Sequence, residues 1–519
     1  MAGVARVDAR GPLAVLAAIA VASLLVRFYA ASHVGFGDSE ALYASYALHP
    51  QAAYLDHPGL IGVVARAIGA GGAPSPEAAH RVTSIAATLL PFLLALAARA
   101  AGATWRASVL AAIALSAAPE IGVGLFAMTP DLPLAFAWTG ALALAALGLR
   151  AHPSSARAAT SLLFAGLLTG VACASKVSGV LLGIALVVTY AGRPARAHAK
   201  TVWPWAGLAL GALVAAPIVA YEARYGFPML QHRLIDTQAE AGLSLRNGAA
   251  VILGQIAYVS PVLLVVAWLV ARDLTATRRA DDPVTRLLFA AFAIPFAGLV
   301  TLSFWSRVAE PHWIAPALLA LPIQAARSPM ALPRRLVTAA VATGLTLIAL
   351  VYAWVLVPSS SALLPANADP RFDLANELVG WPRAIESVRQ ILAEQKTSDP
   401  ADVPVIVGPY WTICAQLHAA LGSGVFVGCD SPLPDDFDGW LPRDDWRRAS
   451  EILFVTDSRY PVDLGARFPH RFAARTWEIP VQRGGRPART FTITQLVPRA
   501  LGQISPPPPA PSSGAPRRG

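Results

Sequence analysis

Residues 161–190, SLLFAGLLTGVACASKVSGVLLGIALVVTY, decide the fold, because they form one long apolar run that a single charged residue, Lys176, interrupts. A helix that crosses a bilayer needs about 20 predominantly apolar residues. The run is too long for one ordinary span, since a longer stretch has to tilt, kink or thicken the bilayer. The sequence therefore predicts two short spans, 161–175 and 177–191, that turn near Lys176.

The rest of the chain has a similar composition. Of its 519 residues, 55% are hydrophobic and 14% are charged, and the mean hydropathy is +0.52. An ordinary soluble domain has about 25% charged residues, so the composition excludes a disordered chain and argues against a conventional cytosolic enzyme. We predict a polytopic α-helical membrane protein of about eleven spans. Besides the two short ones, these are residues 11–30, 79–100, 107–127, 131–149, 203–222, 249–271, 286–305, 312–327 and 335–357.

The charged residues between the spans fall on two different sides. With a cytoplasmic N-terminus, most arginines lie in cytoplasmic segments, as the positive-inside rule requires. The opposite side receives the acids Asp38, Glu40, Asp56, Glu77, Asp131, Glu222, Asp236, Glu240 and Glu310. If residues 161–191 formed one span instead of two, every later loop would lie on the opposite side of the membrane. The distribution of charges therefore favours two spans. The net charge of +10 forms no basic stripe interleaved with aromatic residues, so we expect no nucleic-acid partner.

The composition divides the chain into three parts. Residues 1–360 form the predicted membrane domain, in which loop 31–78 carries an acidic motif, and residues 501–519 form a Pro-rich tail that we expect to be disordered. Between them, residues 361–500 are soluble in character, with predicted strands at 403–408, 425–428, 451–456 and 490–497 and a helix at 410–421. This alternation predicts a small α/β domain outside the membrane. Cys414 and Cys429 in that domain are candidates for a disulfide.

The first outer loop carries candidate catalytic residues. It contains Gly35-Phe36-Gly37-Asp38-Ser39-Glu40-Ala41-Leu42-Tyr43 and then Tyr54-Leu55-Asp56-His57-Pro58-Gly59-Leu60. A carboxylate beside a membrane surface suits a general base that acts on a hydroxyl. A structural role is equally open, because Asp38 can cap a helix at 39–48 and Asp56 can cap a turn before Pro58.

Two further candidates lie at the ends of spans. Asp131 follows Thr129-Pro130, a typical helix start, so it either stabilises that helix or faces the same cleft as Asp38. Lys176 either extends to the membrane interface or binds a lipid phosphate, and we favour phosphate because ionisable residues in apolar stretches are costly and usually functional. Arg233 and His312 are weaker candidates for contact with an anionic donor.

These motifs, taken in order, resemble the GT-C glycosyltransferases, and most closely the protein O-mannosyltransferases and lipid A aminoarabinose transferases (the glycosyltransferase 39/83 type). The resemblance covers about residues 30 to 380. Its motifs are Gly37-Asp38-x-Glu40-Ala41-x-Tyr43, Tyr54-Leu55-Asp56-His57-Pro58, Thr129-Pro130-Asp131-Leu132-Pro133, Ser175-Lys176, Pro311-His312-Trp313 and Gly380-Trp381. The chain departs from the family where Ser39 separates the two acids and where Gly59 replaces a second proline.

The resemblance implies an inverting transfer of a hexosyl or pentosyl group from a polyprenyl-phosphate donor to an acceptor hydroxyl, on the outer side of the membrane. It assigns the general base to Asp38, with Glu40 as the alternative, a second cavity acid to Asp131 and the donor phosphate contact to Lys176. Asp56 and His57 form part of the site, and Tyr43 lies in the same motif.

Several features stay open at the level of sequence. The acceptor is a lipid, a polysaccharide or a protein, no cofactor is certain, and the outer acids are compatible with a divalent cation, although no ligand spacing demands one. A bacterial inner membrane is the expected location, with the C-terminal domain periplasmic or extracellular. The competing function is a secondary transporter that uses intramembrane acids for ion coupling; the absence of evident paired halves and the one-sided acids argue against it.

Overall fold

The structure is a computed structural model that describes residues 9–238, 242–278, 281–306, 308–394 and 404–499. Glu240 and the tail 501–519 lie outside the described residues. The chain divides into two compact units. The first contains Met1–Trp381, Ala415–Gly424 and Gln482–Ala488, and the second contains Pro382–Cys414, Val425–Val481 and Arg489–Gly519.

The first unit is helical up to the end of the apolar part of the chain. The helices described there are α1 (Arg10–Ala31), α2 (Asp38–Tyr46), α3 (Leu60–Ile68), α4 (Pro76–Ala100), α5 (Trp105–Ser116), α6 (Pro119–Gly122), α7 (Asp131–Leu149), α8 (Ala156–Ser175), α9 (Val180–Tyr190), α10 (Arg196–Ala199), α11 (Trp203–Tyr225), α12 (Pro228–Leu234), α13 (Leu245–Tyr258), α14 (Pro261–Thr277), α15 (Pro283–Trp305), α16 (Ala315–Leu318), α17 (Ala320–Arg327) and α18 (Arg334–Leu356).

Within the described residues, seven helices are long and apolar enough to cross a membrane: α1, α4, α7, α8, α11, α15 and α18. Three bent pairs raise the number to at most ten. They are Trp105–Ser116 with Pro119–Phe126 (75°), Val177–Tyr190 with Arg193–Ala199 (80°) and Leu245–Tyr258 with Pro261–Thr277 (111°). The predicted class, a polytopic α-helical membrane protein, is confirmed.

Three of the eleven predicted spans, 107–127, 177–191 and 249–271, coincide with these bent pairs rather than with single straight helices, and the predicted span 312–327 coincides with no span in the described part of the chain. The structure has a 3₁₀ turn there, Pro311–Ile314, followed by the short helices α16 and α17. Pro316 and Pro322 lack the backbone N–H that a continuous helix needs. An apolar run of the right length is therefore broken into pieces that are too short to span.

The predicted break at Lys176 is present. Helix α8 ends at Ser175, and Lys176 has extended backbone angles (φ −152°, ψ 143°) before a 3₁₀ turn leads into α9. Gly179 closes this turn against Ala172, whose backbone would overlap with any Cβ atom at position 179. The break places a lysine at the end of an otherwise apolar helix.

Helices α8 and α11 approach each other through glycines. Gly166 and Gly170 of α8 face Gly207 and Gly211 of α11, and a Cβ atom at Gly166 or Gly170 would overlap with the α11 backbone. Small residues four apart on both helices are the usual means by which membrane helices pack backbone to backbone. This contact packs α8, which ends just before Lys176, directly against α11.

The rest of the chain contains a five-stranded mixed sheet. Its strands are β1 (Val405–Gly408), β2 (Val427–Cys429), β3 (Ile452–Asp457), β4 (Arg471–Arg483) and β5 (Arg486–Pro498), in the order β2-β1-β3-β5-β4. Strand β1 is parallel to β2 and β3, and β3 is antiparallel to β5. The helices described in this part are α19 (Trp381–Glu394), α20 (Trp411–Leu421), α21 (Asp436–Trp440), α22 (Arg443–Arg447) and α23 (Leu464–Arg467). The predicted α/β character is confirmed, and β4 is an additional strand that the sequence did not predict.

A disulfide joins Cys414 and Cys429, which are separated by 15 residues. A cross-link that closes a loop of this length lowers the entropy of the unfolded chain, which is worth about 3 kcal/mol. We expect replacement of both cysteines by serine to lower the thermal stability of the second unit by that order. Differential scanning calorimetry of the purified protein measures the change, and Cys173→Ser, which removes the unpaired cysteine, is the control. Equal transitions in the two variants would contradict the prediction.

A buried carboxyl group makes the second unit sensitive to pH. Burial, opposed by a hydrogen bond from Ser431, raises the pKa of Asp435 to about 7. Because the folded state then holds a proton that the unfolded state releases near pH 4, stability falls as pH rises from about 4 to 7, by at most about 1.4 kcal/mol per pH unit. Asp435→Asn keeps the cap of α21 and does not titrate. We expect its melting temperature to fall less between pH 5 and pH 8 than that of the unchanged chain, and parallel curves would refute this.

Candidate functional site

An ion pair joins two of the predicted site residues. Asp131 is the first residue of α7 and Lys176 follows the last residue of α8, and the Lys176 ammonium donates a hydrogen bond to Asp131 Oδ1 at 2.9 Å. Their side chains are 16% and 14% exposed. The N-terminal end of a helix favours a carboxylate, so Asp131 both begins α7 and holds the lysine in place.

His312 extends this pair. Its Nε2 lies 3.9 Å from Asp131 Oδ2, and its Nδ1 lies 3.3 Å from Glu310 Oε2. The 3₁₀ turn Pro311–Ile314, which replaces the predicted start of a span, carries this histidine. The turn therefore brings a titratable ring to the Asp131–Lys176 pair.

A second ion pair involves the first loop and α12. Arg233 Nε lies 3.3 Å from Asp56 Oδ1 and donates to the Asp56 carbonyl oxygen at 3.1 Å, while His232 Nε2 lies 3.9 Å from the same carboxylate. Glu222 fixes the start of α12 by accepting hydrogen bonds from two backbone N–H groups, those of Met229 and Leu230. Arg233 is thus held beside Asp56, the first residue of the Asp-His-Pro motif.

Tyr43 is buried among these charges. Burial is the main cause that raises its pKa well above the usual value, and the negative charges of Asp56, Asp131 and Glu310 add to it against the positive charge of Arg233. The phenol therefore keeps its proton at every physiological pH. It is available as a hydrogen-bond donor rather than as a base.

His57 is buried beside Tyr43, with ring centroids 5.5 Å apart in an edge-on arrangement. Burial lowers the pKa of His57 well below its usual value, and the positive charges of Arg233, Lys176 and His312 lower it further. The ring is therefore neutral, and its Nδ1 has no hydrogen-bond partner among the described residues. The charge of Arg233 acts on both His57 and Tyr43, and ion pairs join several of the other charges that act on the two rings. We therefore treat these residues as one charged cluster: Tyr43, Asp56, His57, Asp131, Lys176, Arg233, Glu310 and His312.

Two residues near this cluster were not predicted. Glu120 of α6 and Asp131 line the same small cavity, together with Ala135 and Pro316, and the charge of Glu120 also acts on Tyr258 of α13. An acid inside the apolar run 107–127 is an intramembrane ionisable residue, which is a signal of function in its own right. That signal marks Glu120 in the sequence, whereas no comparable signal marks Tyr258.

Asp38 belongs to a different set of contacts. It is 7% exposed and begins α2, with Gly37 as the N-cap residue. Its backbone N–H donates to Glu377 Oε1 at 2.7 Å, and the Gln416 amide lies 3.4 Å from Asp38 Oδ1 while donating to the Phe36 carbonyl oxygen at 2.8 Å. Glu377 and Gln416 were not predicted, because nothing local marks residues so distant in sequence.

Glu40 is held by three hydrogen bonds. Its carboxylate accepts from the Gly37 backbone N–H at 3.0 Å, from the Met128 backbone N–H at 2.7 Å and from His80 Nε2 of α4 at 2.9 Å. These contacts join the start of α2 to α4 and to the loop before α7. They give Glu40 a structural task, and this favours Asp38 where the sequence left the choice of base open.

Glu40→Ala is expected to destabilise the protein by at least about 2 kcal/mol. The substitution leaves two buried donors, the Met128 N–H and His80 Nε2, and the partly buried Gly37 N–H without an acceptor, and each buried group costs about 1–3 kcal/mol. Thermal unfolding in detergent measures the loss. Glu77→Ala is the matched control, because Glu77 is half-exposed and pairs with Arg81 one turn along α4, a contact worth less than about 1 kcal/mol. Similar melting temperatures for the two variants would show that the three contacts do not hold α2.

The described residues contain no group of three or more His, Cys, Asp or Glu side chains that could hold a metal ion. The divalent cation with which the outer acids are compatible therefore has no ready-made site in the described part of the chain. The carboxylates of Asp131 and Asp56 in the charged cluster instead form ion-pair contacts with Lys176, Arg233 and His312.

Comparison with known proteins supports the resemblance to the GT-C glycosyltransferases that the sequence suggested. Residues 71–221 match the family model of the dolichyl-phosphate-mannose-protein mannosyltransferases. That segment includes Asp131 and Lys176 but not Asp38, Asp56, Arg233 or His312.

Two solved structures of ArnT from Cupriavidus metallidurans share the fold. The one bound to undecaprenyl phosphate has a TM-score of 0.60 and 17% identity, and the match covers 96% of this chain and 100% of that one. The apo form has a TM-score of 0.61 and 18% identity, with 94% and 98% covered. A comparison with curated proteins gives no match. At these identities the likeness concerns the fold, and the roles of single residues are open.

Proposed function

We propose that the protein is an inverting membrane glycosyltransferase that moves a hexosyl or pentosyl group from a polyprenyl-phosphate donor to an acceptor hydroxyl on the outer side of a bacterial inner membrane. The observation that carries this proposal is the Asp131–Lys176 pair at the broken end of an apolar helix. A lysine in that place can meet a phosphate while the lipid chain stays against apolar helix surface. The undecaprenyl phosphate bound to the structurally similar ArnT supports a donor of this kind.

The chemistry needs a base on one side of the sugar and positive charge on the other. Asp38 takes the proton of the acceptor hydroxyl as its oxygen attacks the anomeric carbon. The bond between that carbon and the phosphate oxygen breaks, and the lipid phosphate leaves with the electron pair. Lys176 has three N–H donors, so it can keep Asp131 and still bind the phosphate, while Arg233 balances the remaining charge.

Two residues of the charged cluster, Tyr43 and His57, are uncharged and are suited to hydrogen bonds with a sugar. Tyr43 keeps its proton and can donate to a sugar oxygen, and neutral His57 presents a buried Nδ1 that lacks a partner in the described part of the chain. Buried polar groups of this kind reject ligands that leave them unpaired. We assign Tyr43, Asp56, His57, Arg233 and His312 to substrate binding.

Mass spectrometry of envelope glycans and lipids from cells with and without the gene tests the proposal. Loss of one defined sugar from one lipid, polysaccharide or protein would support it and would identify donor and acceptor together. Purified protein in liposomes, supplied with that polyprenyl-phosphate sugar and that acceptor, should then restore the product. An unchanged envelope and no transfer in liposomes would refute it.

The competing function is secondary transport. Interrupted helices do not separate the two functions, because the structure contains three bent helix pairs. The fold match to ArnT favours transfer. Uptake of labelled solute into vesicles that contain the protein, without any transfer product, would favour transport instead.

A further inference from the structure

Residues 358–378, which we name the interfacial segment, follow directly on α18, a helix apolar enough to span a membrane. The segment contains no α-helix or strand. It consists of three 3₁₀ turns, Pro358–Leu363, Pro370–Phe372 and Leu374–Leu378, joined by short extended stretches. It therefore begins where the polypeptide leaves the apolar part of the molecule.

Three large apolar side chains of this segment are almost fully exposed. Leu363 is 80% exposed, Phe372 is 86% exposed and Leu374 is 79% exposed. They are the most exposed large hydrophobic side chains in the described part of the chain. Single exposed apolar residues need no explanation, but a group of them on one short segment indicates an interaction surface.

The opposite side of the segment is held by polar contacts. Asp373 accepts hydrogen bonds from Arg483 at 2.5 Å and from the Trp354 indole N–H at 2.9 Å, and Arg486 donates to the Leu364 carbonyl oxygen at 2.7 Å. Arg483 and Asp373 are both buried. These polar contacts fix the backbone of the segment, so the exposed apolar side chains belong to an ordered element.

Exposed apolar side chains also lie at the end of α18, just before the segment. Leu350 and Val351 near the end of that helix are 59% and 40% exposed, and Val357, the residue before the segment, is 49% exposed. On a spanning helix such side chains face lipid. The chain continues from them directly into the segment that carries Leu363, Phe372 and Leu374, so lipid is the occupant that this continuity along the chain favours.

We propose that the interfacial segment lies in the membrane–water interface and inserts Leu363, Phe372 and Leu374 into the lipid leaflet next to α18. Apolar side chains on a fixed amphipathic element bind the interface in proportion to the apolar area that they bury. The segment also carries Glu377, which accepts the backbone N–H of Asp38. The start of α2 is therefore tied to an element that rests on the lipid surface.

Spin labels test the depth of these side chains without any assay of activity. Single cysteines replace Leu363, Phe372 or Leu374 in a Cys173→Ala background and are labelled with a nitroxide in the full chain. The protein is reconstituted in phosphatidylethanolamine–phosphatidylglycerol liposomes. Leu25→Cys on the exposed side of α1 is the lipid reference, and Ser458→Cys, exposed and far from the apolar part of the sequence, is the water reference.

We expect the three labels to resemble the Leu25 label, with relaxation enhanced by oxygen at least threefold more than by a water-soluble nickel chelate. Labels that respond to nickel as the Ser458 label does would overturn the proposal, because the side chains would then be in water. Labels shielded from both reagents would also overturn it, since a protein surface rather than lipid would cover them. Neither outcome bears on the transferase proposal.

Discussion

Asp38→Asn is expected to lower transfer about 10³-fold while the protein still inserts and folds. Asparagine keeps the shape of aspartate and its place at the start of α2, but its amide cannot take the proton of the acceptor hydroxyl. Positioned general bases contribute about 10²–10⁴-fold to rate, so the loss should fall mainly on kcat. Initial rates with the donor and acceptor identified in the envelope measure it.

The matched control is Asp463→Asn in the second unit. Asp463 also stands at the start of a short helix and accepts backbone N–H groups, so both variants make the same chemical change at a similar position. We expect the control to keep full activity. If Asp38→Asn is as active as the control, Asp38 is not the base, and Asp131→Asn and Glu40→Gln become the variants to measure.

Lys176→Gln is expected to lower kcat/KM for the donor by about 10²-fold. The ammonium group makes charge-assisted hydrogen bonds worth about 1.5–3 kcal/mol each, and the loss of one or two of them corresponds to this factor at about 1.4 kcal/mol per tenfold. Lys200→Gln is the control, since Lys200 is exposed at the end of α10. We expect Lys200→Gln to have no effect.

A purely structural role for Lys176 would give a different pattern. The single substitution takes the ammonium partner from the largely buried Asp131 carboxylate and leaves His312, 3.9 Å away, as its remaining basic neighbour, which is expected to cost about 3 kcal/mol of stability. The double variant Lys176→Gln/Asp131→Asn removes that charge and should recover much of the melting temperature. We expect its kcat/KM for the donor to stay at least about 10²-fold below that of the unchanged protein. Recovery of activity together with stability would assign Lys176 to structure alone.

The sequence predicts correctly those elements that are marked by a long run of consecutive residues of one character. The run 131–149 predicts α7 at its observed bounds, Asp131–Leu149, because apolar length is a property of consecutive residues. The charge of Lys176 correctly divided the run 161–190 for the same reason. At 312–327 the apolar signal was of similar length, but Pro316 and Pro322 remove helix hydrogen bonds, and backbone geometry outweighed hydropathy.

The missed strand has a similar physical origin. Strand β4 is an edge strand whose side chains are mostly exposed, so its sequence lacks the apolar face by which strands are recognised. The turn signal Gly484-Gly485 between β4 and β5 was present, and both glycines have positive φ angles. A hairpin read from that turn would have placed β4 beside β5.

The sequence marks candidate site residues one by one but not the contacts between them. Asp131 and Lys176 were each identified from their own surroundings, yet the bond between them joins residues 45 apart. The contacts of Asp38 with Glu377 and Gln416 bridge 339 and 378 residues. No local pattern encodes such pairings, because they depend on how the whole chain packs.

The glycine contact between α8 and α11 limits the paths by which a lipid chain can pass between the helices. At Gly166 and Gly170 the two helices leave no room for a methyl group. A gap that excludes a methyl group also excludes a prenyl chain, so this seam is closed to lipid. If Lys176 binds the proposed lipid-linked donor, that donor has to reach it through another opening between the helices, so the four glycines restrict the direction of its entry.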